Sequence, residues 1–203
     1  GEIKNHKTIN VPGIDLNLPF ISDTDYKDIV FASTHSCDYL SLSFVNSKED
    51  VLKVKDIISA SGGDAKIISK IESTTGIDNI KGIVEVSDGI MVARGDLGVE
   101  LSIERVPGLQ KKIINKCHEL GIVSIVSTEL LSSMEKTNRP TRAEVSDVAN
   151  AVLDGADAVM LTGETTVGKY PIETLNMMEK IIKSAELDLD YMEYIKKYSD
   201  NVT

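Results

Sequence analysis

Lys70 and Glu72 are separated by one residue at the end of the apolar run Lys66 to Ile71, Glu72 directly following it. On a strand both side chains point to one face while Ile71 points to the other. A cation and an anion sharing a low-dielectric mouth could bind an anionic substrate, or could be a structural ion pair; the two residues alone leave both readings open. Asp96 lies in Arg94-Gly95-Asp96-Leu97-Gly98, at the end of the next apolar run. Glu72 and Asp96 together would offer two hard oxygen ligands from neighbouring strands, which suits Mg2+ or Mn2+ with substrate and water completing the shell. Gly95 and Gly98 allow backbone conformations that other residues resist and are expected to leave amides bare for an anion at a helix start. Zinc would require His or Cys; His6, His35 and His118 lie in unrelated places and read as surface residues.

The elements that must position these groups follow from periodicity. Five short apolar runs, Tyr39 to Val45, Lys66 to Ile71, Gly89 to Ala93, Ser124 to Ser127 and Ala158 to Leu161, read as buried strands. Between them Val51, Val54 and Ile58, then Leu109, Ile113, Cys117 and Leu120, then Val145, Val148, Ala149 and Val152 follow helical spacing. Ser22 with Asp25, Ser47 with Asp50, and Thr141 with Glu144 have the spacing of helix starts, only the last in the strict Glu form of a capping box. Alternation of strand and helix implies an α/β fold with a parallel sheet. A polar group sits at or just past the carboxyl end of every run: Ser43, Lys70 and Glu72, Arg94 and Asp96, Thr128 and Glu129, Thr162 and Glu164. Barrels gather their chemistry at that end from several strands, whereas open sheets concentrate it at one switch point. A partial (β/α)8 TIM barrel is the favoured architecture, with five of the eight strands.

Composition narrows the function classes. The 203 residues carry a formal charge of -10, which repels phosphate backbones and acidic membranes, so neither nucleic acid nor membrane is an expected partner. With aromatics at 4% and no Trp, the core must rest on aliphatic residues, as in a parallel sheet covered by helices. Cys37 and Cys117 lack metal-binding or CxxC spacing and read as buried thiols of a reducing, cytoplasmic compartment. No GxGxxG or GxxxxGK[ST] is present, so dinucleotide and P-loop chemistry have no support.

KIES at 70–73, SDGIMVARGDLGVE at 87–100, RPTRAEVSDVANAVLDGADAVMLTGET at 139–165 and GKYP at 168–171 resemble pyruvate kinase, in family order and over almost the whole chain. Thr8 to Gly13 and the SFV at 43–45 are similar to it as well. The resemblance implies strands 4 to 8 of the catalytic barrel, with residues 1–19 a lead-in returning from a lid domain, 20–186 the partial barrel, and 187–203 a helix extension or linker. It implies transfer of the phosphoryl group of phosphoenolpyruvate to ADP, giving pyruvate and ATP. Lys70 matches the catalytic lysine, Glu72 and Asp96 the ligands of Mg2+ or Mn2+, and Thr128 the threonine beside the carbon where the enol is protonated. The amides of Gly95 and Asp96 would hold the substrate carboxylate. Arg142 matches a subunit contact near the site, in a family of homo-oligomers, commonly tetramers. The K+ of the family has its ligands on earlier strands.

The chain departs from the family at Asn46 (often Arg), Ser73-Thr74 (usually Asn at the first), Ser127 (often Ala), Glu129 (usually Gln) and Thr162 (usually Ser). Glu129 would add negative charge beside Thr128. With three strands missing, two sheet edges would be open and the isolated chain is expected to associate and to have very low activity. Two alternatives remain at this point. A Mg-dependent aldolase or lyase of the pyruvate and oxaloacetate class would not need the pairing of Lys70 with Thr128. A non-catalytic module would bind metal and carboxylate without turnover.

Overall fold

A computed structural model describes residues 19–189, so the expected lead-in and linker lie almost wholly outside the described residues. Three helix starts have the same local cause. The Ser22, Ser47 and Thr141 side chains accept from the backbone N–H three residues on, and Asp25, Asp50 and Glu144 reach back to the cap backbone, starting α1 (Asp23–Thr34), α2 (Lys48–Ala60) and α7 (Arg142–Leu153). All three are complete capping boxes, so the shorter Asp closes the box as Glu does. The remaining helices are α3 (Thr74–Asp78), α4 (Ile80–Val86), α5 (Arg94–Glu100), α6 (Val106–Leu120), α8 (Gly163–Thr166) and α9 (Pro171–Leu187), with 3-10 turns at Ile103–Arg105 and Ser132–Glu135. None is long and apolar enough to cross a membrane.

The strands are β1 (Tyr39–Leu42), β2 (Lys66–Ile71), β3 (Gly89–Ala93), β4 (Val123–Ser127) and β5 (Ala158–Met160), all parallel and ordered β1-β2-β3-β4-β5. Each strand lies beside its neighbour in sequence, as in one sector of a barrel; a doubly wound sheet would reverse direction at a switch point. The first predicted strand is shorter than expected because the chain turns at Phe44, whose φ is 51°.

Alternation along the strands separates two faces. Ile67, Ile71, Ile90, Val92 and Val126 point to the helices and belong to the apolar clusters there, with Val51, Val54, Ile58, Ile83, Ile113 and Cys117 on one side and Ile114, Val148, Ala151, Met178 and Ile181 on the other. Lys66, Ile68 and Lys70 take the opposite face. Lys70 is therefore directed away from the aliphatic core by the same pleat that buries Ile71.

Register is pinned by a repeated device. Asp88, just before β3, accepts from the Ile67 backbone N–H at 2.9 Å, and Asp157, just before β5, accepts from Ser124 N–H at 2.8 Å. A shift by one residue would break these bonds and turn every strand side chain to the wrong face.

Glu144 also braces the β4–α7 connection, accepting from Ser133 N–H at 2.6 Å and Ser133 Oγ at 2.5 Å besides its cap. Burial pushes its carboxyl up, but the bonds from Ser133 and Thr141 together outweigh that and leave its pKa below the ordinary value. A depressed folded-state pKa means stabilisation that is complete above the unfolded pKa and lost as pH falls through the folded one. The gap in urea midpoint between wild type and Glu144→Gln is therefore expected to be widest at neutral pH, to start narrowing as pH falls through the ordinary glutamate value of about 4.3, and to close only below the depressed folded-state pKa. A gap constant from pH 6 to pH 3 would contradict this.

Two expectations about single residues are corrected. Cys37 is exposed, because it lies in the turn before β1 and not within the strand, whereas Cys117 is buried on the core face of α6 and its thiol is pushed up to about 12, by desolvation and then by Asp157. His118 is partly buried, with Nε2 2.7 Å from the Gly155 carbonyl, while His35 is exposed and stacked on Phe31; His6 lies outside the described residues.

Candidate active site

β2 and β3 pair Ile71 with Val92, and β3 and β4 pair Ala93 with Ser127. Glu72 directly follows β2, Arg94 follows β3 and Thr128 follows β4, so all three stand at the carboxyl end of the sheet, where Arg94 bonds to the Thr128 carbonyl. The expected site residues from three different strands are thus brought to one rim by register alone.

Lys70 Nζ lies 2.7 Å from Glu72 Oε1 and donates to Ser43 Oγ at 2.9 Å. Glu72 is 1% exposed, and its second oxygen accepts from the Phe44 N–H at 2.6 Å. An ammonium has three donors, of which two are used here, so one remains for an incoming anion. The pair is therefore more than an ion pair closed on itself: Glu72 offsets the charge and Ser43 fixes the direction of the remaining N–H.

Thr128 has φ 69° and Glu129 φ 53°, in the left-handed region that costs an L residue about 1–2 kcal/mol and that a β-branched side chain resists most. Of the four non-glycine residues with positive φ among the described residues, Phe44, Thr128 and Glu129 lie at this rim and Ser36 lies elsewhere. Strained backbone gathers where the surrounding structure holds it for a purpose. Thr128 Oγ1 donates to the Ser127 carbonyl at 2.6 Å and accepts from the Gly95 N–H at 2.7 Å.

That bond corrects one expectation. The Gly95 amide is not bare but committed to the threonine hydroxyl, and α5 begins at Arg94 with no intervening turn. Gly95 and Gly98 do not have positive φ, and a Cβ on Gly95 would make only ordinary contacts, the nearest 3.4 Å from Thr128 Oγ1. Their freedom of conformation is unused here.

Asp96 is half-buried in the first turn of α5, and its carboxylate has no partner among the described residues. Among the same residues no cluster of three or more His, Cys, Asp or Glu side chains could hold a metal by itself. A site of two carboxylates, one free and one already hydrogen-bonded, fits a hard cation that takes its other ligands from substrate and water. Arg142 opens α7 and is exposed.

Three features escaped the reading of the sequence. Arg94, noted there only as a polar strand end, is bound to the Thr128 carbonyl (Nη2, 2.7 Å) and to Asp147 (Nη1, 2.7 Å). Glu164 is buried and accepts from Leu131 N–H at 3.1 Å and Thr162 N–H at 2.8 Å, tying the ends of β4 and β5 together. Two departures from the family pattern also meet each other, since Ser73 Oγ donates to Asn46 Oδ1 while Ser73 caps α3. No spacing rule could have found these contacts, because each joins residues 27 or more apart in sequence, apart from the bond within Thr162–Glu164.

Residues 1–175 match the family described as pyruvate kinase, barrel domain. A pyruvate kinase of Clostridium perfringens is 49% identical over 98% of this chain and 42% of its own length. One of Methanocaldococcus jannaschii is 48% identical over 100% of this chain and 44% of its own, and one of Bacillus licheniformis is 47% identical over 100% and 35%. The chain thus spans about two fifths of these relatives. With five consecutive parallel strands and a polar rim of Lys70, Glu72, Asp96 and Thr128, the chain belongs to the pyruvate kinase family, as a segment of its barrel domain.

Proposed function

We propose that this barrel segment supplies the metal, phosphoryl and enolate half of a site that transfers a phosphoryl group from phosphoenolpyruvate to ADP, giving pyruvate and ATP in the cytoplasm. The observation that carries the reading is the Lys70 ammonium, balanced by Glu72, aimed by Ser43 and left with one donor at a rim that also presents the free carboxylate of Asp96. In such a reaction the phosphorus–oxygen bond to the enol breaks, the phosphoryl group passes to the terminal phosphate of ADP, and the enolate takes up a proton at its methylene carbon. Little of this needs covalent help, so placement and charge neutralisation supply most of the rate.

Lys70 opposes the charge that develops on the phosphoryl oxygens and the enolate. Thr128, its hydrogen directed to the Ser127 carbonyl, retains acceptor capacity to hold a water that delivers the proton. A divalent cation held by Glu72 and Asp96, Mg2+ or Mn2+, would supply positive charge to both sides of the breaking bond. The amide of Asp96, with Gly95 now bound to Thr128, is the donor left for the substrate carboxylate. Arg142 serves a subunit contact in a homo-oligomer, and K+ is taken by residues outside this chain.

The test is a coupled assay of the full-length native polypeptide that carries these residues. Phosphoenolpyruvate and ADP should give pyruvate in a Mg2+-dependent reaction. Asp96→Asn should raise the half-saturating Mg2+ concentration by more than the roughly 10–100-fold that loss of an outer-shell partner costs. An unchanged Mg2+ requirement would remove Asp96 from the metal site, and absence of any phosphoryl transfer by wild type would remove the reading as a whole.

A further inference from the structure

The Thr128–Glu129 turn is held by one side chain. Arg94 Nη2 donates to the Thr128 carbonyl at 2.7 Å and to the Glu129 carbonyl at 3.1 Å, and Nε approaches the Thr128 carbonyl at 3.3 Å. Nη1 lies 2.7 Å from Asp147 Oδ1 on α7 and 3.5 Å from Gln110 Oε1 on α6. Gln110 is itself buried and donates to Asp154 at the end of α7, where Lys111 also bonds. The guanidinium side chain is only 10% exposed. It has exchanged water for a set of acceptors drawn from the β4 rim, α6 and α7.

Two successive residues in the left-handed region present their carbonyls to the same side, and a planar fork can serve both at once. A lysine has all its donors on one nitrogen, so it cannot span Asp147 and the two carbonyls as the separate nitrogens of the guanidinium do. The residue next to Arg94, Gly95, donates its N–H to Thr128 Oγ1. Thr128 is thus gripped twice by one dipeptide: by the Arg94 side chain at its carbonyl and by the Gly95 amide at its hydroxyl. Nothing else among the described residues bonds to the Thr128 hydroxyl besides its own neighbour's carbonyl.

We propose that Arg94, anchored by Asp147, is a positioning residue that locks the strained Thr128–Glu129 turn and so fixes the place of Thr128 Oγ1, whose remaining lone pair holds the water that protonates the enol. The role of that hydroxyl rests on the function proposed above, whereas the lock itself does not. It predicts that Thr128 loses its placement when the fork is lost, even with the positive charge and the fold kept.

The experiment compares wild type, Arg94→Lys and Asp147→Asn in the full-length native polypeptide by steady-state kinetics, thermal unfolding and residue-resolved hydrogen exchange. Arg94→Lys should lower kcat by roughly a hundredfold, the scale of a small misplacement at a reacting centre, with KM for ADP unchanged. Exchange at the Gly95 amide should accelerate by at least about tenfold while the β3 and β4 amides stay protected. Asp147→Asn, which keeps the shape of the anchor, should move both readouts in the same direction by less, and it decides the matter if the lysine variant fails to fold. Gly95 protection equal to wild type in a folded Arg94→Lys protein would overturn the proposal, as would a loss of activity that merely follows the unfolded fraction. If wild type shows no phosphoryl transfer, the functional reading fails separately, and the Gly95 amide still decides whether Arg94 holds the turn.

Discussion

Replacing Lys70 with methionine is expected to lower turnover of phosphoenolpyruvate by about a thousandfold, the upper range for loss of a single transition-state donor. Methionine keeps most of the stem volume but removes the charge and all three N–H groups. The effect should fall on kcat and on kcat/KM alike, since the interaction strengthens as charge develops on the transferring group. A second consequence follows from burial. Glu72 is 1% exposed and would keep only the Phe44 N–H, so part of the damage will be a carboxylate stranded in the protein interior. The Lys70→Met/Glu72→Gln double variant separates the two effects: it should recover thermal stability without recovering turnover. Activity of Lys70→Met within a few-fold of wild type would rule out a central role for the lysine.

The largest effect on stability is expected at Glu164. Its carboxylate is 1% exposed and accepts from the backbone N–H groups of Leu131 and Thr162 and from the Thr162 hydroxyl. Leu131 is itself fully buried, at 0% exposure. Glu164→Ala leaves those donors without a partner and opens a cavity, costing about 3 kcal/mol at the usual scale for stranded buried donors. For a chain of this size that corresponds to a fall in Tm of about 6–12 °C by circular dichroism. Glu164→Gln should recover only part, because its amide NH2 would face a donor where an acceptor is needed. A fall of a degree or less in the alanine variant would show that the link between β4 and β5 is dispensable.

The sequence carried the architecture unusually far. All five strands lie where apolar runs predicted them, although only β3 is buried along its whole length; β2 buries alternate residues, and β1, β4 and β5 are partly exposed, so a short apolar run marked the strand without measuring its burial. The capping residues Ser22, Ser47 and Thr141 mark real helix starts, since a cap is a local hydrogen bond that four consecutive residues suffice to define. Lys70 and Glu72 were legible as a pair for the same reason: a period of two needs no tertiary information. The error at Gly95 and Gly98 has a physical source as well. Glycine in a turn-like string signals permitted freedom, and only the surrounding packing shows whether the chain uses it.

The chain's own residues determined the fold class and the strand-end placement of Lys70, Glu72, Asp96 and Thr128, because strand alternation and strand-end position are properties of nearest neighbours in sequence. The roles expected of them were implied by the resemblance of their motifs to a family. How that site is held was decided by the tertiary structure alone. The bond of Lys70 to Ser43, the commitment of the Gly95 amide to Thr128, the grip of Arg94 on two carbonyls, and the buried Glu164 all join residues brought together by sheet register and helix packing. Such contacts depend on three-dimensional closure between separate βα units. No periodicity encodes them, because each partner is also compatible with a solvated surface until the units are assembled.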